Sequence, residues 1–214
     1  DQRHWLIATA KDTDQLIVFD ATTGEQLDTV GSTGSTLGQF KRPNGISVID
    51  NMAIIVERDN RRLQVMSLRE FEPLGSFGPG QLELPYGLWV MKRENGYRVY
   101  VTDAYETAHE EVPPHEELDS RLHAFDFRVM DNKIDSKWIR SAGETEGPGV
   151  LREVESLWGD PAYNHLLVAD EAANRLNVKV FDLDLNFTGK VIGDGLFQHQ
   201  PEGISQYTCK DGSG

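Results

Sequence analysis

The chain is poor in features that mark several common classes of protein. It contains one cysteine, Cys209, which excludes a disulfide within these 214 residues. No apolar run approaches the ~18 residues of a membrane-spanning helix, so we expect no membrane span. No signal peptide precedes Asp1, although a mature chain would already have lost it. A lone cysteine fits cytoplasm or a bacterial exported protein that avoids cysteine, and we expect an extracellular or periplasmic location.

Positive charge is also scarce. Lysine and arginine total 21 residues against 35 aspartates and glutamates, and the formal net charge is −14. No basic face is therefore available to displace counterions from phosphates, which excludes nucleic acid as a partner. The excess of carboxylates either serves solubility or includes a cluster that holds hard cations, which prefer oxygen ligands.

Helical periodicity is nearly absent. The best candidate for a short helix is Val112–Ser120, where proline can begin a turn. It lies in an insertion, Ala104–Ser120, that is rich in carboxylates and contains His109 and His115. This insertion is either a solvated acidic loop or a lid or metal-binding loop, and its spacing matches no common metal motif.

A repeat is the main feature that the chain does contain. An apolar strand, a polar turn and a second apolar strand return four times, about every 45 residues, at 6–20, 54–66, 99–126 and 166–182. One such unit cannot bury both faces of its sheet, so the units must stack. The repeat predicts an all-β fold, a β-propeller that forms a single domain over residues 1–214. With about four blades, we expect part of a longer ring, incomplete at both ends, whose remaining blades come from the rest of the gene product.

A second repeated pattern precedes the innermost strand of each blade. Proline enters a strand only at its start or edge, and glycine permits a tight approach of the backbone. The residue between them is therefore expected at the mouth of the central channel. These patterns are Pro43-Asn44-Gly45, Pro85-Tyr86-Gly87 and Pro201-Glu202-Gly203, and the equivalent place in the remaining repeat has Glu155-Ser156.

Carboxylates recur at this predicted rim. Glu155 and Glu202 begin successive inner strands, Asp170 and Glu171 end the strand between them, and Asp103 has the register of Asp170. Converging carboxylates repel one another and raise their pKa values unless a cation such as calcium, which takes six to eight oxygens, is bound. The alternative is a set of scattered surface acids. The predicted metal ligands are Glu155, Asp170, Glu171, Glu202 and Asp103.

Cations are predicted on the same rim. Arg58, Arg61 and Arg62 crowd into one turn, and Lys11 occupies the matching turn of the first repeat. A guanidinium suits bidentate recognition of phosphate. The pairs Asn60-Arg61 and Asn174-Arg175 also admit a structural interpretation, in which asparagine caps the turn and arginine braces the neighbouring blade.

In their order and spacing these segments resemble the β-propeller phytases. The resemblance runs from Leu6 to Gly203 and rests on Ala8-Thr9-Ala10-Lys11, Pro43-Asn44-Gly45-Ile46, Asp59-Asn60-Arg61, Pro85-Tyr86-Gly87-Leu88, Val154-Glu155-Ser156, Val168-Ala169-Asp170-Glu171 and Pro201-Glu202-Gly203-Ile204.

This resemblance implies a six-bladed, calcium-dependent enzyme. Its substrate would be a small anionic phosphoester such as phytate, hydrolysed by metal-activated water. By matching motif, the catalytic residues are Lys11, Arg61 and Tyr86, and the substrate is bound by Lys11, Arg61, Arg58 and Asn44. The chain departs from the family where Asp103 replaces an expected second phosphate-binding lysine and where Ser156 replaces a glycine.

Two other functions remain open. In lactonase-like propellers, Asn44 and Asp103 would be calcium ligands and Asp103 a base. In non-catalytic rings of the NHL type, the turn Arg58-Asp59-Asn60-Arg61 is part of the repeat, and the ring binds a partner without catalysis. Fold alone does not decide among these functions.

Overall fold

A computed structural model describes residues 4–104, 121–172, 176–205 and 207. The acidic insertion beyond Ala104, with its candidate helix, and the pair Asn174-Arg175 lie outside these residues. The described part contains strands, turns and short irregular segments, and no helix in it is long and apolar enough to cross a membrane.

The strands form four sheets in chain order. Sheet 1 contains β1 (Trp5–Ala10), β2 (Gln15–Asp20) and β3 (Gln26–Val30). Sheet 2 contains β4 (Pro43–Ile49), β5 (Met52–Glu57), β6 (Arg62–Ser67) and β7 (Pro73–Phe77).

The other two sheets repeat the four-stranded arrangement. Sheet 3 contains β8 (Pro85–Arg93), β9 (Gly96–Asp103), β10 (Leu122–Met130) and β11 (Lys133–Ala142). Sheet 4 contains β12 (Val154–Asp160), β13 (His165–Asp170), β14 (Asn177–Phe181) and β15 (Phe187–Ile192). In every sheet each strand hydrogen-bonds to the next along the chain, which is the meander of a propeller blade.

Equivalent turns show which strands of sheets 1 and 2 correspond to each other. Ala10 pairs with Gln15 across a four-residue turn, and Glu57 pairs with Arg62 across another. The last residue of each turn has a positive φ, 55° at Asp14 and 51° at Arg61. The strands β1 and β5 are therefore equivalent. By this register Lys11 corresponds to Arg58, and Arg61 corresponds to Asp14.

Apolar side chains of neighbouring strands form the core. All six residues of β5 are buried, as expected for a strand covered on both faces. One cluster joins sheets 1 and 2 and contains Leu16, Phe40, Ala53, Ile55 and Met66, each at most 1 % exposed. Burial of such side chains contributes roughly 1.5–3 kcal/mol each.

The contacts divide the chain into two compact units. Unit 1 comprises residues 1–86, 90–98 and 126–138, and unit 2 comprises 87–89, 99–125 and 139–214. Sheets 1 and 2 lie in unit 1, sheet 4 lies in unit 2, and sheet 3 contributes residues to both. The organisation as one propeller domain stays a prediction.

Candidate functional site

Two positions recur in the sheets and contain most of the predicted site residues. The first, the strand-end position, directly follows β1, β5, β9 or β13 and is occupied by Lys11, Arg58, Ala104 and Glu171. The second, the bulge position, follows the first residue of β4, β8 or β12, or of the Pro201 segment, and is occupied by Asn44, Tyr86, Glu155 and Glu202.

The bulge position is named for a local change in register. Pairing of β4 with β5 shifts between Pro43 and Ile46, and pairing of β12 with β13 shifts between Val154 and Leu157. Asn44 and Glu155 lie in these irregularities. A bulge redirects a side chain out of the regular ladder and is common beside functional sites.

In unit 1 the structure brings Lys11 and Tyr86 together. The Nζ of Lys11 donates a hydrogen bond of 2.8 Å to the Tyr86 hydroxyl and lies 4.5 Å from the centre of the ring. A cation at this distance from an aromatic ring is stabilised electrostatically. The pair thus presents an ammonium and a phenol at one point, both of which can donate to an anionic oxygen.

Asn44 lies in the same unit with its side chain partly unsatisfied. It is 8 % exposed, and its carbonyl oxygen accepts a 2.7 Å hydrogen bond from the Thr9 hydroxyl. Its Nδ2 is buried and has no hydrogen-bond partner within the part of the chain that the structure describes. A buried donor without a partner is costly, so this amide favours a ligand or ordered water as acceptor.

The arginines of the predicted phosphate-binding turn have different environments. Arg61 is exposed and donates to the Glu83 carboxylate at 3.1 Å. Arg62 is 7 % exposed and forms an ion pair with Glu57, whose Oε1 lies 2.6 Å from Arg62 Nε. The residue that braces the loop is therefore Arg62, one position after the Asn60-Arg61 pair that suggested such a role.

Around Glu57 lies a buried polar network that the sequence patterns did not single out. Its carboxylate, fully buried, also accepts from Asn60 Nδ2 at 2.5 Å and Gln64 Nε2 at 3.0 Å. Burial raises the pKa of Glu57, and the bonds from Arg62 and Asn60 partly offset that rise. The Arg62 guanidinium also donates to the carbonyls of Ser35, Thr36 and Gln39.

In unit 2 three of the predicted metal ligands, Glu155, Asp170 and Glu202, act electrostatically on a fourth, Glu171. Burial, followed by the charges of neighbouring carboxylates, raises the pKa of Glu171 to about 8. Glu171 is 2 % exposed, and its Oε1 is buried without a hydrogen-bond partner among the described residues. We call this group the carboxylate cluster: Glu153, Glu155, Asp170, Glu171 and Glu202.

A cavity of about 460 Å³ opens beside the cluster. It is lined by Glu153, Glu171 and Glu202 together with Leu176 and the residues 198–200. The Glu171 N–H donates to the Glu153 carbonyl at 2.8 Å, which fixes the backbone at the strand-end position. The cavity thus combines three carboxyl groups with room for a hydrated cation.

Asp170 and Asp103 are already engaged in buried interactions. Asp170, fully buried, is paired with the buried ammonium of Lys179 and accepts hydrogen bonds from the backbone N–H groups of Glu153 and Ala172. Asp103 is 1 % exposed, and its Oδ2 lies 3.4 Å from Nε2 of the buried His123.

These contacts repeat a pattern at the end of the second strand of sheets 2, 3 and 4. In each sheet a buried acid faces two buried polar residues, spaced by two, on the following strand or directly before it: Glu57 with Arg62 and Gln64, Asp103 with Arg121 and His123, and Asp170 with Asn177 and Lys179. The sequence signal was an acid at the strand end followed by polar-x-polar at the start of the next strand. It indicates a structural role for these acids.

The donor set fits calcium in chemistry but is not preassembled around one point. No group of three or more His, Cys, Asp or Glu residues in the described ranges is arranged to hold a metal ion. The cluster carboxylates act on Glu171 electrostatically. Glu202 is exposed, so its side chain can change rotamer. All candidate ligand atoms are carboxylate oxygens, as calcium prefers.

Comparisons with known proteins extend to the fold. No protein-family model matches the chain, and no curated protein matches it. Among solved structures, hydrazine synthase of Kuenenia stuttgartiensis is similar with a TM-score of 0.58 and 9 % identity over 88 % of this chain and 46 % of that one. A nidogen/laminin complex is similar with a TM-score of 0.59 and 14 % identity over 94 % of this chain and 64 % of that one.

Both similar structures are β-propeller proteins, and the chain spans about half to two thirds of their lengths. The four sheets are accordingly blades of an all-β propeller, which confirms the predicted fold class. At these identities the likeness shows the fold alone and does not support the phytase family in particular.

Proposed function

We propose that this propeller is a calcium-dependent phosphomonoester hydrolase that resembles the β-propeller phytases. One observation carries the proposal: Glu171 is buried with an oxygen that has no hydrogen-bond partner among the described residues, and burial together with four other carboxylates raises its pKa to about 8. Such an arrangement is unfavourable in the absence of a cation and favourable with one. Perturbed carboxyl groups of this kind are frequent at functional sites.

Calcium would be held by Glu171, Glu155 and Glu202, while Asp170 remains paired with Lys179. When bound, calcium supplies positive charge that offsets the charge of an anionic substrate and activates water. The carboxylates themselves orient the cation and lose their mutual repulsion. The buried Lys179–Asp170 pair holds the Asp170 carboxylate, which accepts hydrogen bonds from the backbone N–H groups of Glu153 and Ala172.

The phosphoester would be bound by the predicted cationic and polar side chains. Lys11 and Tyr86 are held in one place by their mutual contact and can donate to phosphate oxygens as charge develops there. The unpartnered amide of Asn44 adds a third donor. Arg58, in the strand-end position that matches Lys11, and Arg61 complete the predicted set. The exposed Arg61–Glu83 pair contributes at most about 1 kcal/mol, so Arg61 is readily released to a ligand.

Phosphate release from phytate tests the proposal. Activity should require calcium, disappear with a chelator and fall at least ~10-fold in Glu171→Gln, since even groups that only support metal ligands contribute that much. The matched control is Glu25→Gln, an exposed glutamate in the β2–β3 turn, which should retain activity. Wild-type activity that is indifferent to chelation would contradict the proposal.

The same preparation separates the alternatives. Hydrolysis of lactones but not of phytate would favour the lactonase-like function with Asn44 and Asp103. An inactive chain would favour the NHL-type binding propeller, which agrees with the structural part that Asn60 plays in its turn: its Nδ2 bridges the Gly34 carbonyl, at 2.9 Å, and Glu57.

A further inference from the structure

Thr102 is fully buried and its hydroxyl joins two backbone groups of unit 2. The oxygen accepts a 2.8 Å hydrogen bond from the Gly87 N–H and donates to the Glu155 carbonyl at 2.9 Å. We call this arrangement the hydroxyl clasp. It ties β8 and β9 of sheet 3 to the bulge position of sheet 4.

The clasp depends on a close approach that only glycine permits. A Cβ placed on Gly87 would lie 2.0 Å from the Glu155 carbonyl oxygen, closer than any real contact of this kind. The glycine of the Pro85-Tyr86-Gly87 segment therefore has a function besides turning the chain. It allows β8 to contact the backbone of Glu155, the cluster residue whose charge contributes most to the raised pKa of Glu171.

Glu155 lies where the ladder is irregular. Pairing of β12 with β13 shifts in register between Val154 and Leu157. The clasp adds a hydrogen bond to the backbone at this irregularity. A ligand whose backbone can rotate binds a cation less tightly than one held in a single orientation.

We propose that Thr102 is a positioning residue that orients Glu155 toward the cation of the carboxylate cluster, an inference that rests on the proposed function. It does not contact the substrate or the cation and acts through the backbone of Glu155. The same device occurs in unit 1, where Thr9, like Thr102 the next-to-last residue of its strand, donates to the carbonyl of Asn44. Its occurrence at two bulge positions indicates a feature of the rim rather than a chance contact.

Calorimetric titration of the metal-free chain with calcium tests this inference. Thr102→Val replaces the hydroxyl with a methyl group of similar size and should weaken calcium binding about 10–100-fold, as loss of groups that orient metal ligands does. Thr102→Ser retains the hydroxyl and should restore affinity to within a few-fold of wild type. Thr9→Val, the matched control, removes the equivalent clasp from a residue that is not a carboxylate and should leave calcium affinity unchanged.

The outcomes separate the inference from the proposed function. If the wild-type chain binds calcium and Thr102→Val binds it with unchanged affinity, the positioning role is overturned but the proposed function is not. Equal weakening in Thr102→Val and Thr9→Val would also overturn it, because the effect would then be a general loss of stability. Wild-type chain that does not bind calcium overturns the proposed function and the inference with it.

Discussion

At Glu171, burial and four neighbouring carboxylates act on one side chain in the same direction. Its pKa is raised from 4.5 to about 8, so the metal-free folded chain retains a proton that the unfolded chain has lost at neutral pH. Neighbouring Asp170 is instead paired with the buried ammonium of Lys179. Two adjacent acids in one strand end therefore have different chemistry: one is a member of a structural ion pair, and the other is available to a cation.

Metal-free stability should therefore fall as the pH rises through Glu171's titration range. Between pH 4.5 and pH 8 the folded chain binds more protons at Glu171 than the unfolded chain does, so this group lowers the free energy of unfolding as the pH increases. Glu171→Gln cannot titrate and should flatten this slope. Thermal melting in chelator at several pH values measures both chains. A mutant slope equal to the wild-type slope would contradict the assignment, and a residual slope is expected because the pKa of Glu57 is also raised.

The turn between β5 and β6 illustrates how one element separates the functions of neighbouring residues. Arg61 has a positive φ and points into solvent beside Glu83, whereas Arg62 begins β6 and points into the buried network around Glu57. The difference arises because Arg61 is the last residue of the turn, in the left-handed region, whereas Arg62 is the first residue of the strand. The network joins the turn to the carbonyls of the 34–39 loop, so the loop and the sheet are ordered together.

Arg62→Met should destabilise the chain strongly, and Arg61→Met should not. Removing Arg62 leaves the fully buried Glu57 without its charge partner, which typically costs about 3–5 kcal/mol. Loss of the exposed Arg61–Glu83 pair should cost less than about 1 kcal/mol. Denaturant unfolding measures both.

The double variant Glu57→Gln with Arg62→Met checks the cause of that loss. It removes the buried charge together with its partner and should recover part of the stability. If Arg61→Met and Arg62→Met had similar free energies of unfolding, the buried Glu57–Arg62 pair would not be what orders this turn.

For the molecule as a whole, the cation would link unrelated segments of the chain. The cluster residues come from 153–155, 170–171 and 202, and repulsion among them opposes folding until their charge is neutralised. Because the formal net charge is −14, any bound cation also stabilises the folded chain by reducing the repulsion among its negative charges.

Calcium should therefore raise the melting temperature. A concentration 100 times the dissociation constant stabilises a protein by about 2.7 kcal/mol, and each kcal/mol raises the melting temperature of a chain of this size by about 2–4 °C. We expect a rise of roughly 5–10 °C over the chelated chain, absent in Glu171→Gln. Differential scanning calorimetry makes the measurement. Superimposable melting curves with calcium and with chelator would exclude a calcium site in the folded chain.

Local pattern was sufficient to predict the blades. Alternating apolar residues and turn signals specify strands because they depend only on neighbours in sequence. The Pro-x-Gly pattern predicts residues at the mouth of a central channel, and the grouping of the acids at 155, 170, 171 and 202 as metal ligands also stays a prediction. The phytase-like activity stays a proposal.

Other features depended on which side chains meet across strands. Nothing local distinguishes Asp170, which is paired with Lys179, from Glu171, which is buried with an unpartnered oxygen, because burial and partners are properties of the packed sheet. The different environments of Arg61, Arg62 and Glu57 are likewise set by packing. The Thr102 hydroxyl is hydrogen-bonded to the Glu155 carbonyl because the backbone of Glu155, 53 residues away in sequence, lies against Gly87. Composition and periodicity decided that the chain forms blades. Tertiary packing decided which acids, like Asp170, have a buried ionic partner and which, like Glu171, are buried with an oxygen that has no hydrogen-bond partner among the described residues.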